Sequence, residues 1–223
     1  MLQLIGRLIG SGVLLFIDHF NVSKFLSINM PDVFIVAGPN GAGKTTSAMS
    51  LFPDLLECIE YVNADAIASG ISPFKPAGVA VEAGRLMLQR IKKLAIEDKS
   101  FAFETTLSSK CFVKLLNKCK NSGYTTTLLY IWLKSPSLAI NRVKDRVLNG
   151  GHSIPEDTIR RRYYRSIYNL IDLYLPLVNN AYLFDNSDKK PSDIAQKEGD
   201  GEIEVLDRIA WGSIQAVYNG NKK

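Results

Sequence analysis

Histidine and cysteine are scarce in this 223-residue chain. There are two histidines and three cysteines (Cys58, Cys111, Cys119), with no CxxC pair and no histidine close to a cysteine. That excludes a disulfide framework and a zinc site of the usual spacing, and makes a reducing cytoplasm the natural setting. Long apolar runs are missing too. The run Leu8–Ile17 holds ten residues, far short of the ~20 that a membrane-spanning helix needs. No small-x-small cleavage pattern precedes Asn21, which leaves export a weak reading. Internal repeats and low-complexity stretches are absent. A hydrophobic fraction of 46% with 22% charged residues excludes disordered, collagen-like and coiled-coil classes.

What is present suits one α/β domain, given about 150 residues per domain as a soft prior. Met30, followed by Pro31-Asp32 and a clear strand, makes a sensible domain start. Residues 1–29 therefore read as a non-core or misassigned extension, with an extra packed helix or a membrane or export role as alternatives. Residues 30–223 read as a single domain. The net charge of +5 is concentrated: residues 142–165 carry seven basic side chains against three acidic ones, four of the five net charges. A diffusely basic surface would suit nucleic acid, which this is not. One arginine cluster on a balanced chain suits a compact anion, against the plain alternative of a solvated basic helix.

Val33–Ala37 is an uninterrupted apolar, β-branched run, the pattern of a strand buried on both faces. At once there follows Gly38-Pro39-Asn40-Gly41-Ala42-Gly43-Lys44-Thr45, a full G-x-x-x-x-G-K-[ST] Walker A loop, and Thr46–Phe52 continues as a helix. Glycines let backbone N–H groups from Gly38 through Thr46 curl around phosphate, and the helix N-terminus adds partial positive charge. Lys44 is expected at the β- and γ-phosphates of ATP, and the Thr45 hydroxyl on Mg²⁺.

Two further strand candidates end in acids: Tyr61-Val62 runs into Asn63-Ala64-Asp65, and Phe101–Phe103 into Glu104-Thr105-Thr106. In a doubly wound sheet, groups at strand carboxyl ends line the ligand crevice, so Asp65 and Glu104 are expected beside the phosphate loop. Asp65 is the first choice for the base that takes a proton from an attacking hydroxyl, and Glu104 for orienting the acceptor or holding Mg²⁺ through water. The plain alternatives are an N-cap for a helix at Ala66–Ala68 and a polar strand end. Thr105, Thr106 and Ser108 read as caps for a helix after Leu107.

Thr126–Leu133 is the clearest β run, and Ser135-Pro136 opens the helix after it. Arg142 and Arg146 share a face of that helix. Asn149-Gly150-Gly151-His152 reads as a flexible break, with His152 a loop residue, before a second helix from Ile154-Pro155 that bears Arg160, Arg161, Arg162 and Arg165. Two basic helices around a glycine break, about residues 142–165, form a lid expected to close over nucleotide. Arg146 and Arg161 or Arg162 are placed at the phosphates and Arg142 near the base. Ala181–Phe184 reads as the last parallel strand, with Asp185-Asn186-Ser187 on the ligand side, and the tail from Pro191 as an edge hairpin plus a closing helix.

With these motifs in view, residues 31–190 resemble the zeta-toxin family of P-loop kinases. The resemblance implies a three-layer P-loop nucleotide-kinase-like fold, use of ATP and Mg²⁺, and phosphorylation of a sugar hydroxyl of UDP-N-acetylglucosamine. It also implies an antitoxin protein as partner. The family's Walker lysine corresponds to Lys44, its aspartate base to Asp65, its glutamate to Glu104, and its phosphate-binding arginines to Arg146 and to Arg161 or Arg162. The chain is short, with about 30 residues after the last strand, like compact stand-alone relatives. The function expected is an ATP-dependent phosphotransferase acting on a small-molecule hydroxyl. A switch protein that binds and hydrolyses ATP and acts through a partner is the alternative.

Overall fold

A computed structural model describes residues 30–51, 58, 60–151 and 153–220. The extension 1–29, Phe52 and His152 lie outside the described residues.

The apolar β-branched runs form a seven-stranded sheet in the order β2-β3-β1-β4-β5-β6-β7. β1 (Asp32–Ala37) lies between β3 (Phe101–Thr105) and β4 (Thr125–Trp132), parallel to both. β2 (Tyr61–Val62) pairs parallel with β3, and β5 (Asn180–Asp185) parallel with β4. The expected tail hairpin is β6 (Ser192–Lys197) and β7 (Glu204–Val205), both antiparallel to their neighbours. Helices complete a three-layer α/β fold: α1 (Lys44–Leu51), α2 (Ala64–Ile71), α3 (Ala80–Ile96), α4 (Val113–Asn121), α5 (Pro136–Leu148), α6 (Glu156–Asn169) and α7 (Arg208–Gly220).

Central strands are apolar on both faces because helices cover both. Val33, Phe34, Ile35, Phe101, Phe103, Leu128 and Tyr130 are each at most 1% exposed; burying each such side chain contributes roughly 1.5–3 kcal/mol. Tyr130 carries a hydroxyl into this core, where it meets Ser166 of α6 at 2.9 Å, so the polar group is satisfied rather than orphaned. The strand order reverses at β1, flanked by strands that follow it in sequence on either side. Such a switch point opens a crevice beyond the strand carboxyl ends, and there the Gly38–Thr45 loop begins.

Candidate active site

Gly38 has φ +142, and a Cβ on it would lie 2.1 Å from the Ile131 carbonyl oxygen of β4. Only glycine lets the loop leave β1 this close to its neighbour strand. The loop turns over Ala42, whose N–H donates to Pro39 O at 3.2 Å, and enters α1 at Lys44. From the carboxyl end of β5, Asn186 Nδ2 donates to Ala42 O at 2.8 Å, pinning the loop from the far side. The expected ligand-side position of Asp185–Ser187 is thus observed.

Lys44 is buried, and its Nζ donates to Pro39 O at 2.9 Å and lies 3.8 Å from Glu104 Oε1. Burial pushes its ammonium below the usual lysine range; the Glu104 and Asp65 carboxylates oppose this, while Arg146 and Arg162 add to it. The two arginines and two acids therefore share one electrostatic neighbourhood with the Walker lysine. Glu104 lies inside β3, which runs on through Thr105, opposite Val36 of β1. Three donors converge on its Oε2: Thr45 Oγ1 at 2.8 Å, Tyr61 OH at 2.6 Å and Asn63 Nδ2 at 2.8 Å. Burial, and then the Glu104 charge, hold the Tyr61 hydroxyl well above its ordinary range, so it stays a donor at any working pH.

Asp65 is not the cap of its helix. α2 starts at Ala64, and the N-cap is Asn63, whose Oδ1 accepts from the N–H groups of Asp65 (2.8 Å) and Ala66 (3.2 Å). Asp65 occupies the first helical turn, exposed at the mouth of a cleft of about 420 Å³. Asn40, Lys44, Asn63, Asp65, Glu104 and Arg162 all line that cleft. Thr105, Thr106 and Ser108 do not cap a helix either, since the next one starts at Val113. Thr105 Oγ1 accepts from Leu107 N at 3.0 Å, and Thr106 and Ser108 hydroxyls meet at 2.8 Å. They hold a tight turn in which buried Leu107 has φ +57.

The lid arginines separate. Arg162 lines the cleft, and the Asp65 charge counteracts the lowering that burial imposes on its guanidinium. Arg161 and Arg165 line only an adjoining cavity of about 410 Å³, which Arg162 shares, with Ser108, Ser109 and Lys110. Arg142 donates to Ser187 O at 3.0 Å, on the β5 side of the loop. The Gly150-Gly151 pair, read from sequence as a flexible break, is a hydrogen-bonded helix end: Gly151 N donates to Arg146 O at 2.9 Å and Gly150 N to Val147 O at 3.0 Å. A Cβ on Gly151 would meet Arg146 Cγ at 2.6 Å, so the glycine makes room for the Arg146 stem. Sequence reading missed Tyr61, Asn63 and Lys110. Only β2–β3 register puts Tyr61 opposite Ala102 and hence on the face that Glu104 shares.

The zeta-toxin family model matches residues 18–174 of this chain. The chain belongs to the zeta-toxin family. An uncharacterized protein of Haemophilus influenzae is 30% identical over 142 residues, 64% of this chain and 99% of that one. A chain of the AvrRxo1-ORF1:-ORF2 complex with ATP superposes with a TM-score of 0.69 at 18% identity, over 95% of this chain and 70% of that one. The PezAT toxin–antitoxin system of Streptococcus pneumoniae gives 0.54 at 15% identity, over 96% of both chains. These likenesses confirm the fold as that of a zeta-toxin-like P-loop kinase. Among the described residues no helix is long and apolar enough to cross a membrane.

Proposed function

We propose that this protein transfers the γ-phosphoryl group of ATP to a hydroxyl group of a small molecule. The observation that carries the reading is the convergence of Lys44, Asp65, Glu104 and Arg162 on one cleft at the sheet's switch point. The loop Gly38-Pro39-Asn40-Gly41-Ala42-Gly43-Lys44-Thr45-Thr46 cradles the phosphates with its backbone N–H groups, all but that of Pro39, which has none, and Lys44 reaches the β- and γ-phosphates. As the acceptor oxygen bonds to the γ-phosphorus, the bond to the ADP oxygen breaks and the hydroxyl proton passes to the exposed Asp65 carboxylate. Arg146 and Arg162 stabilise charge on the transferring group, and Arg142 lies toward the base.

The Thr45 hydroxyl and the Glu104 carboxylate, 2.8 Å apart, are hard oxygen donors that fit Mg²⁺. Thr45 would hold the ion directly and Glu104 through water. Bound there, Mg²⁺ supplies charge neutralisation at the β- and γ-phosphates. Until then the two residues hold each other.

A sugar nucleotide such as UDP-N-acetylglucosamine is the acceptor we propose. Supporting it is the cavity of Lys110, Arg161 and Arg165, which shares Ser108, Ser109 and Arg162 with the cleft. Guanidinium forks and hydroxyls suit a diphosphate. An antitoxin partner and a cytoplasmic setting belong to the same proposal; the PezAT structure is described as a toxin–antitoxin system.

Mass spectrometry of the products tests it. The full chain is incubated with ATP and Mg²⁺, with and without UDP-N-acetylglucosamine. A sugar nucleotide heavier by one phosphate is expected. ADP release with no such product discards this acceptor and, if no other hydroxyl compound gains phosphate, favours the switch alternative. The absence of both ADP and product overturns the kinase reading.

A further inference from the structure

Asn40 of the phosphate loop is 6% exposed, and its Oδ1 is buried without a donor to meet it among the described residues. Such an atom costs stability and is rare in a folded chain, so it calls for a reason. Asn40 stands in the wall of the cleft, with Lys44, Asp65, Glu104 and Arg162. The residues on either side hold it there. Pro39 O receives Lys44 Nζ at 2.9 Å. Gly41 backs against α5, where a Cβ would lie 2.9 Å from Ala139 O and 3.1 Å from Arg142 Cβ.

The chemistry of the atom selects its partner. A carboxamide oxygen only accepts hydrogen bonds. The phosphate oxygens of bound ATP are themselves acceptors and have nothing to give it. Lys44 already donates to Pro39 O and lies beside Glu104. The hydroxyl that attacks has a single hydrogen, which passes to Asp65. What remains is a second O–H or N–H of the acceptor molecule, next to the hydroxyl that reacts. A lone alcohol lacks that donor, whereas a vicinal diol or an acylamino alcohol has it.

We infer that Asn40 Oδ1 accepts a hydrogen bond from this second donor and so selects which hydroxyl of the acceptor attacks the γ-phosphorus. The inference rests on the kinase reading above. The transfer itself is unchanged: the acceptor oxygen bonds to phosphorus, the bond to the ADP oxygen breaks, and the proton goes to Asp65. When water is the acceptor, one hydrogen goes to Asp65 and the other, held by Asn40, stays on the inorganic phosphate that forms.

Kinetics of the full chain test it, with UDP-N-acetylglucosamine and ATP as substrates. Asn40→Ala removes the amide and keeps the loop's N–H; Asn40→Ser returns a shorter acceptor oxygen. Asn40→Ala is expected to lower kcat/KM for the acceptor by about tenfold or more, and Asn40→Ser by less, with ATP affinity within about threefold of wild type. In urea, without ligands, Asn40→Ala is expected to unfold no earlier than wild type, since it loses an unpaired atom. If the wild type phosphorylates no sugar nucleotide, that acceptor is wrong, and the same drop is expected in the release of ADP with water. If the wild type releases no ADP either, the kinase reading and this inference fall together. Unchanged rates in Asn40→Ala, a loss of ATP affinity as large as the loss of rate, or marked destabilisation overturn the inference alone. So does an effect that disappears in an Arg162→Ala background, which would give the oxygen to that arginine.

Discussion

Thr45 donates its hydroxyl to Glu104 Oε2 at 2.8 Å, across 59 positions of sequence, and the same oxygen receives the Tyr61 hydroxyl at 2.6 Å. Were Thr45 to turn to a nucleotide-bound cation, as proposed, Tyr61 and Asn63 would still hold the carboxylate. A hydrogen bond to a charged group contributes about 1.5–3 kcal/mol. Tyr61→Phe is therefore expected to lower kcat by about 10- to 100-fold with the KM for ATP nearly unchanged. Urea denaturation should show a smaller effect, since two donors stay on Oε2. Steady-state kinetics beside the denaturation curves checks both, and a full-rate variant removes Tyr61 from the catalytic arrangement.

Gly38→Ala tests the loop. Its φ of +142 and the 2.1 Å approach to Ile131 O leave no room for a methyl group against rigid backbone. A loss of about 2 kcal/mol or more of stability is expected, with nucleotide binding falling as the loop shifts. Gly43→Ala would meet the Asn186 amide at 2.9 Å and is also strained by its φ of +87, so it should cost about 1–2 kcal/mol and disturb the Asn186 contact, less than Gly38→Ala does. Thermal and urea unfolding of the two variants distinguishes them.

The arginines of α6 divide by task. Arg162→Ala is expected to lower kcat by about 10²-fold or more, because Arg162 lines the cleft with Asp65 and Lys44. Arg161→Ala and Arg165→Ala are expected to raise the acceptor KM with little change in the KM for ATP, since they line the adjoining cavity. Initial rates against each substrate separate the two patterns. An Arg161 variant that loses kcat as Arg162 does would merge the two sites.

Much of the site was legible because it is local. The loop from Gly38 to Thr45 is contiguous, its glycines have positive φ at positions 38, 41 and 43, and the strand before it is apolar throughout. Asp65 and Glu104 could be placed because parallel strands deliver their ends to one side of a sheet. The Tyr61–Glu104–Asn63 cluster was not legible, since it depends on a pairing register that no local pattern encodes. The choice between Arg161 and Arg162 depended on how α6 is rotated. That signal existed: Arg162 stands four residues before buried Ser166 and so flanks the buried stripe of Ile159, Tyr163 and Ile167. Gly150-Gly151 was ambiguous, because glycine serves a hinge and a helix cap alike.

Stability should depend on pH through Asp32. Burial at the start of β1 pushes its carboxyl up to about 6 from an ordinary 3.8. The folded state then binds more protons than the unfolded state between those values, so stability falls as pH rises from about 4 to about 6. The penalty is complete above that window and absent below it. Asp32→Asn is expected to stabilise the protein by about 1 kcal/mol at pH 7.5, after allowing for the solvent that screens a half-buried group. The gain should vanish near pH 3.5. Urea midpoints of both proteins at the two pH values measure it, and a destabilised variant at pH 7.5 contradicts the burial argument.

The central claim is that Asp65 takes the acceptor's proton in a cleft that binds ATP independently of it. The most direct measurement follows transfer of label from the γ-phosphate of ATP to acceptor in single turnovers of wild type and Asp65→Asn, with ATP affinity measured on the same samples. Asp65→Asn is expected to slow transfer by about 10²- to 10⁴-fold while ATP affinity stays within about threefold of wild type. Lys44→Ala is the contrast, weakening both together. Transfer at the wild-type rate in Asp65→Asn, or loss of ATP binding in that variant, contradicts the claim.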